Sequence, residues 1–143
     1  MINRERASIF ASAWLFGVLG VFFLTGCGKI STHPVEGKIT YKDGSPLTCE
    51  GLVIFNPAEA HLKNGARGAI QPDGSFRMGT FDEADGVPEG RYKVAIVPPP
   101  LKNPNHPPPD WPPFDRKYMN AEQSGLEFTV TAGKNEFPIV VEK

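Results

Sequence analysis

Beyond residue 26 no stretch repeats apolar residues at the 3.6-residue spacing of a helix for long enough to bury one face of it. What recurs instead is a short alternating segment closed by Gly, Pro, Asn or Asp, and the chain carries fifteen glycines and fifteen prolines in 143 residues. Segments this short and this firmly bounded by turns exclude a helical bundle. They predict an all-β sandwich or barrel.

Seven strands are expected. In 35–41, Val35, Gly37, Ile39 and Tyr41 alternate with Glu36, Lys38 and Thr40, the period of a strand with one wet face. The turn Lys42-Asp43-Gly44-Ser45-Pro46 closes it. Residues 52–55 form a continuous apolar run, which reads as a strand covered on both faces and stopped by Asn56-Pro57. Segments 67–70 and 75–80 flank Gln71-Pro72-Asp73-Gly74, turn chemistry that predicts a hairpin. The clearest strand is 90–97, with Tyr92, Val94 and Ile96 on one face and Arg91, Lys93 and Ala95 on the other. Two more are predicted at 126–131 and 137–141, joined by the turn Ala132-Gly133-Lys134-Asn135.

The N-terminus has a different grammar. Arg4 and Arg6 outweigh Glu5, and 9–24 is apolar apart from Ser12, Gly17 and Gly20. That is the plan of a secretory signal peptide. As a helix, 9–24 would reach about 24 Å, short of the ~30 Å hydrocarbon core. Leu24-Thr25-Gly26-Cys27 closely resembles the lipobox of bacterial lipoproteins. The resemblance implies cleavage after Gly26 and diacylglycerol on the Cys27 thiol, with two or three acyl chains giving stable anchoring. Residues 1–26 are then the signal, 27–34 the lipidated cysteine and a short polar tether, and 35–143 the folded domain. Gly28, where some bacteria use Asp for inner-membrane retention, favours the outer membrane. The product would be held on a membrane of the cell envelope, facing the periplasm or the exterior. Its 117 residues suffice for one domain. With 13 basic and 15 acidic residues it carries a net charge of −2, with no basic patch for nucleic acid.

Within the domain, Val35-Glu36-Gly37-Lys38-Ile39-Thr40, Asp43-Gly44-x-Pro46-Leu47, Asp73-Gly74-Ser75-Phe76 and Pro88-Glu89-Gly90-Arg91-Tyr92-Lys93-Val94 follow one another in an order that resembles carboxypeptidase regulatory-like domains. These are transthyretin-like β-sandwiches. The resemblance implies a single seven-stranded Greek-key (Ig-like) sandwich with Phe76 and Tyr92 as inward anchors, and a non-catalytic structural or binding role. Tyr92 either packs only as core or also bonds the preceding loop as a tyrosine corner. One relative of that fold, the hydrolase of 5-hydroxyisourate, ends in Tyr-Arg-Gly-Ser, whereas this chain ends Val140-Val141-Glu142-Lys143. That departure argues against hydrolase activity.

Independent signs of chemistry are sparse. His33, His61 and His106 lie in the tether and in loops without metal spacing, with His33 and His106 expected in solvent. Asp82, Glu83 and Asp85 could offer oxygens to calcium but lack the alternate-residue pattern of a calcium loop; the alternative function they carry is an envelope enzyme or metal-dependent sugar-binding domain. Ser31, Ser45, Ser75 and Ser124 lack a nucleophile-elbow setting. No cofactor is expected, and Cys49, left without a partner once Cys27 is lipidated, reads as a small buried apolar residue or the seat of an intermolecular disulfide.

The most unusual stretch is 98–113, where nine of sixteen residues are proline. It cannot enter a sheet and is expected in extended polyproline II geometry. One reading makes it a recognition loop for a protein or glycan partner, with Trp111, Phe114 and His106 at the contact. The other makes it a stiff crossover in which Trp111 covers an open end of the sandwich. Residues 114–120 are expected to form one helical turn, placing Phe114 and Tyr118 on the same edge of the core.

Overall fold

The computed structural model describes residues 30–143; the expected signal at 1–26 and the lipidation site Cys27 lie outside the described residues. The fold is all-β. Its strands are β1 (Val35–Tyr41), β2 (Gly51–Pro57), β3 (Ala66–Ile70), β4 (Ser75–Arg77), β5 (Gly90–Val97), β6 (Glu127–Val130), β7 (Asn135–Glu136) and β8 (Ile139–Val141), with a 3-10 turn at Arg116–Met119. They form one curled mixed sheet in the order β6-β5-β2-β3-β4-β1-β7, with β8 also on β1.

The described residues thus hold eight strands rather than the seven expected, because the last segment divides. Pro138 lacks the N–H that a continuous ladder would use. β7 pairs in parallel with Val35 and Glu36, and β8 in parallel with Ile39 to Tyr41. Between them the Phe137 carbonyl lies where a side chain on residue 37 would stand, 2.2 Å from a Cβ built there. Gly37 permits that approach. Since β6 pairs with β5 and β7 with β1, at opposite ends of the strand order, residues 131–134 make a crossover rather than a hairpin. Asn135 closes it: its Oδ1 accepts from Thr131 N–H (3.0 Å), and its Nδ2 donates to the carbonyls of Thr131 (2.9 Å) and Gly133 (3.0 Å).

The hairpin of β3 and β4 forms as the turn chemistry dictates. Gly74 takes φ +80°, and the Asp73 carboxylate accepts from Ser75 N–H (3.0 Å) and Ser75 Oγ–H (2.6 Å). The same Asp-Gly-Ser triplet ends β1, with Gly44 at φ +83° and Asp43 accepting from Ser45. Those bonds hold both carboxyls below the usual carboxylate range.

Alternation sets the core. Val35 and Ile39, Val53 and Phe55, Ile70, Phe76, and Tyr92, Val94 and Ile96 all point inward and are buried. The apolar run of β2 is not covered on both faces: Leu52 is 38% exposed, because its side of the sheet faces solvent. Ala95 is buried with its strand neighbours. Tyr92 is both core and loop pin, its hydroxyl donating to the Pro88 carbonyl at 3.0 Å.

Strand directions give the domain two poles. β1 begins at the N-terminal pole and ends at Tyr41 on the far pole. β5 runs the same way, since it is antiparallel to β2, β2 to β3, β3 to β4 and β4 to β1. Its eight residues span about 26 Å at the rise of an extended chain.

Candidate functional site

Residues 98–113 leave the sheet from the end of β5, at the far pole. The segment is not an extended polyproline helix. The His106 N–H donates to the Asn103 carbonyl (3.2 Å) and the Trp111 N–H to the Pro108 carbonyl (3.1 Å), so two turns fold it back. Pro104 and Pro109 occupy the second position of each turn, which their fixed φ suits. Residues 102–110 are all exposed, Trp111 is half-buried, and His106 faces solvent with its Nδ1 3.4 Å from Asn103 Nδ2. The loop is tied down where it returns: Tyr41 Oη–H donates to the Pro113 carbonyl (2.8 Å) and the Asp115 N–H to the Glu142 carbonyl (2.8 Å).

Phe114 does not belong with Trp111 and His106. It is 3% exposed and packs edge-to-face on Tyr118 at 6.5 Å, with the Asp115 carboxylate capping the 3-10 turn through Lys117 N–H (2.9 Å). The helical turn is shorter than the 114–120 expected: Phe114 lies before the extended Asp115 cap, and it is that bend, not helical spacing, that brings it beside Tyr118 in the core. The contact face therefore reduces to Trp111, His106 and the exposed prolines.

The far pole also gathers an ion cluster that sequence distance conceals. Glu142 pairs with Lys42 and with Lys117 (2.9 Å), and hydrogen bonds from those two ammonium groups pull its carboxyl down to about 2. Cys49 lies near the same pole, partly buried, with its Sγ 3.1 Å from the Glu50 carbonyl. Burial first, and then the Glu50 charge, push its thiol pKa up, which makes it a poor nucleophile.

At the N-terminal pole the acidic loop serves structure. Asp85 accepts from the N–H groups of Thr80 (2.7 Å) and Phe81 (3.2 Å), closing 80–86 on itself, while Asp82 and Glu83 point to solvent. Among the described residues no three His, Cys, Asp or Glu side chains come together to hold a metal ion. His33 is not a solvated tether residue. Its backbone pairs with Val87 in both directions (2.8 and 2.9 Å), its Nδ1 accepts from Gly133 N–H (3.2 Å), and its Nε2 faces Glu89 at 3.3 Å. Thr32 Oγ1–H adds a bond to the Asp85 carbonyl (2.7 Å). Ordered structure thus starts before Val35, which the alternation alone could not mark because an isolated bridge has no period.

No protein-family model matches the chain, and no curated protein matches it. Two crystal structures of DUF3823 family proteins are similar in backbone. The one from Parabacteroides merdae ATCC 43184 has a TM-score of 0.45 and 15% identity, over 80% of this chain and 47% of that one. The one from Bacteroides ovatus ATCC 8483 has a TM-score of 0.43 and 20% identity, over 76% of this chain and 44% of that one. This chain therefore spans less than half the length of either.

Proposed function

We propose that this chain is a lipid-anchored, non-catalytic module of the bacterial cell envelope, held by an acylated Cys27 and presenting the 98–113 loop to a protein or glycan partner. The supporting observation is the opposition of the two poles. Thr32 and His33 are fastened at one end of β1 and β5, and the proline-rich loop emerges at the other. Four residues separate Cys27 from Thr32, and the five steps between them reach about 18 Å at full extension. An anchor there keeps the N-terminal pole close to the bilayer and turns the loop away from it. We read the curled sheet as a member of the transthyretin-like sandwich group, on the order of its four turn motifs. Gly28, in place of the aspartate that marks inner-membrane retention in some bacteria, supports the outer membrane.

The test is made in intact cells of a double-membrane bacterium fed an alkyne fatty acid. The full-length chain should take up label, and Cys27→Ser should take up none and leave the membrane fraction. Under crosslinking, a defined partner should be captured by the native chain and lost when 98–113 is replaced by a Gly/Ser segment of equal length. An unlabelled native chain overturns the anchor; capture that survives loop replacement overturns the loop's role.

A further inference from the structure

The outward face of the sheet carries a feature independent of the proline loop. β3 and β4 lie antiparallel with Ile70 opposite Phe76 and Arg67 opposite Gly79, which sets Ala69 opposite Arg77. Arg67 and Arg77 are consequently diagonal neighbours on one face, about 7–8 Å apart along the sheet and somewhat closer at their Cβ atoms. Between them the floor is only Ala69 and Gly79. A Cβ on Gly79 would meet the Asp82 carbonyl at 2.0 Å, because the loop 80–84 folds down onto the sheet at that point. The folded loop makes one wall of an open groove of about 1310 Å³ and hangs Phe81, 56% exposed, over its edge.

The groove's charges are unevenly used. Glu36 and Glu136 on the opposite wall both hold Lys134, at 2.7 and 2.9 Å, and Arg77 reaches Glu36 only at 3.8 Å. Among the described residues Arg67 and Lys38 make no ion pair. Two guanidinium forks with few partners, side by side over a flat floor, match a carboxylate. An exposed phenyl ring offers an apolar face to the C–H side of a sugar ring. Asp82 and Glu83 beside it supply acceptors for sugar hydroxyls, a mixture that suits a glycan better than a polyanion. An added peptide strand is disfavoured, since β3 and β4 are interior strands whose backbone groups are already paired on both sides.

We propose that this groove binds an acidic glycan, its carboxylate held between Arg67 and Arg77 and a sugar ring laid on Phe81. The inference rests on the glycan half of the envelope reading above, but on different residues from the loop. Its test titrates the full chain in detergent micelles by calorimetry with oligosaccharides of N-acetylglucosamine and N-acetylmuramic acid, with oligogalacturonate, with uncharged N-acetylglucosamine oligomers of equal length, and with polyglutamate. At least one acidic sugar should bind tenfold or more tightly than the uncharged oligomer and polyglutamate. Arg67→Ala, Arg77→Ala and Phe81→Ala should each lower that affinity tenfold or more, and Arg67→Lys should fall between. These side chains are exposed, and an unchanged unfolding temperature verifies each fold. The loop-replaced chain should bind as the native one does, so failure of the loop reading leaves this result standing. Absence of binding to both acidic sugars, equal binding of the uncharged oligomer, preference for polyglutamate, or indifference to the arginine substitutions would overturn the proposal.

Discussion

The two poles of this domain are built on opposite principles. At the N-terminal pole, distant parts of the chain cross-bond: Thr32 to 85, His33 to both 87 and 133, and the Asn135 N–H to the Pro34 carbonyl (2.9 Å). At the far pole, the bonds within 98–112 are local, and the loop is fixed mainly where it returns through Tyr41 and Asp115. Cross-bonded backbone opens only when several contacts break together, whereas local turns open one at a time. The proposed anchoring at one end and presentation at the other would use that division.

The largest test of the contrast is Asn135→Ala. It strips partners from the Thr131 amide and from the carbonyls of Thr131 and Gly133, a side chain 6% exposed and bonded on all sides. Thr131 and Gly133 are exposed, so water re-pairs the groups left behind; at ~1 kcal/mol net for each of the three hydrogen bonds lost, the cost should be about 2–3 kcal/mol. Thermal unfolding followed by circular dichroism should show a midpoint lower by roughly 10 °C. An unchanged midpoint would mean that the crossover does not organise this pole. Next comes Tyr92→Phe, which keeps the ring against Phe55, at 5.7 Å, and removes only the bond to Pro88. A cost of about 1–2 kcal/mol is expected, and one below experimental error would reduce Tyr92 to packing alone.

What the sequence could disclose follows the same division. β1 and β5 run over the very residues where alternation predicts them, because inward residues recur every second position and period is a local property. The Asp-Gly-Ser turns were legible for the same reason. Asn135, His33 and the Lys42–Glu142–Lys117 cluster were not: their partners are up to about a hundred residues away in the chain, and no local pattern encodes them. Phe114 shows a different limit. Its neighbourhood of prolines suggested presentation, while its i, i+4 partner Tyr118 led into the core, and burial decided the matter. The arginine pair on the sheet face needed the β3–β4 register before it could be seen at all.

Acid should touch the far pole more gently. The Glu142 carboxyl sits at about 2 in the folded chain against an ordinary value of 4.5, so its contribution is complete above about pH 4.5 and is lost as the pH falls toward 2. Urea midpoints of the native chain and Glu142→Gln should therefore differ slightly at pH 7 and converge toward pH 2. The effect stays small because the pairs are exposed and screened by salt. A gap that persists at pH 2 would assign the difference to packing instead of charge.

The smallest expected change is the most telling. Replacing 98–113 with Gly/Ser of the same length alters loop-closure entropy little, since closure depends on length, and an exposed Gly/Ser loop that stays free in the folded chain does not lose the entropy that a segment ordered on folding would lose with each proline removed. What the exchange removes from the folded state is the half-burial of Trp111; residue 113 keeps its main-chain carbonyl as the acceptor for Tyr41. The unfolding midpoint should then drop by only a few degrees, and hydrogen exchange at 87–97 should be unaltered. A fall as large as that of Asn135→Ala would show the loop to be a structural lid on the far pole, with Trp111 sealing the core. A small fall leaves a stretch whose nine prolines contribute little to stability, and their conformational stiffness then favours recognition, where ordering lost before binding need not be lost during it.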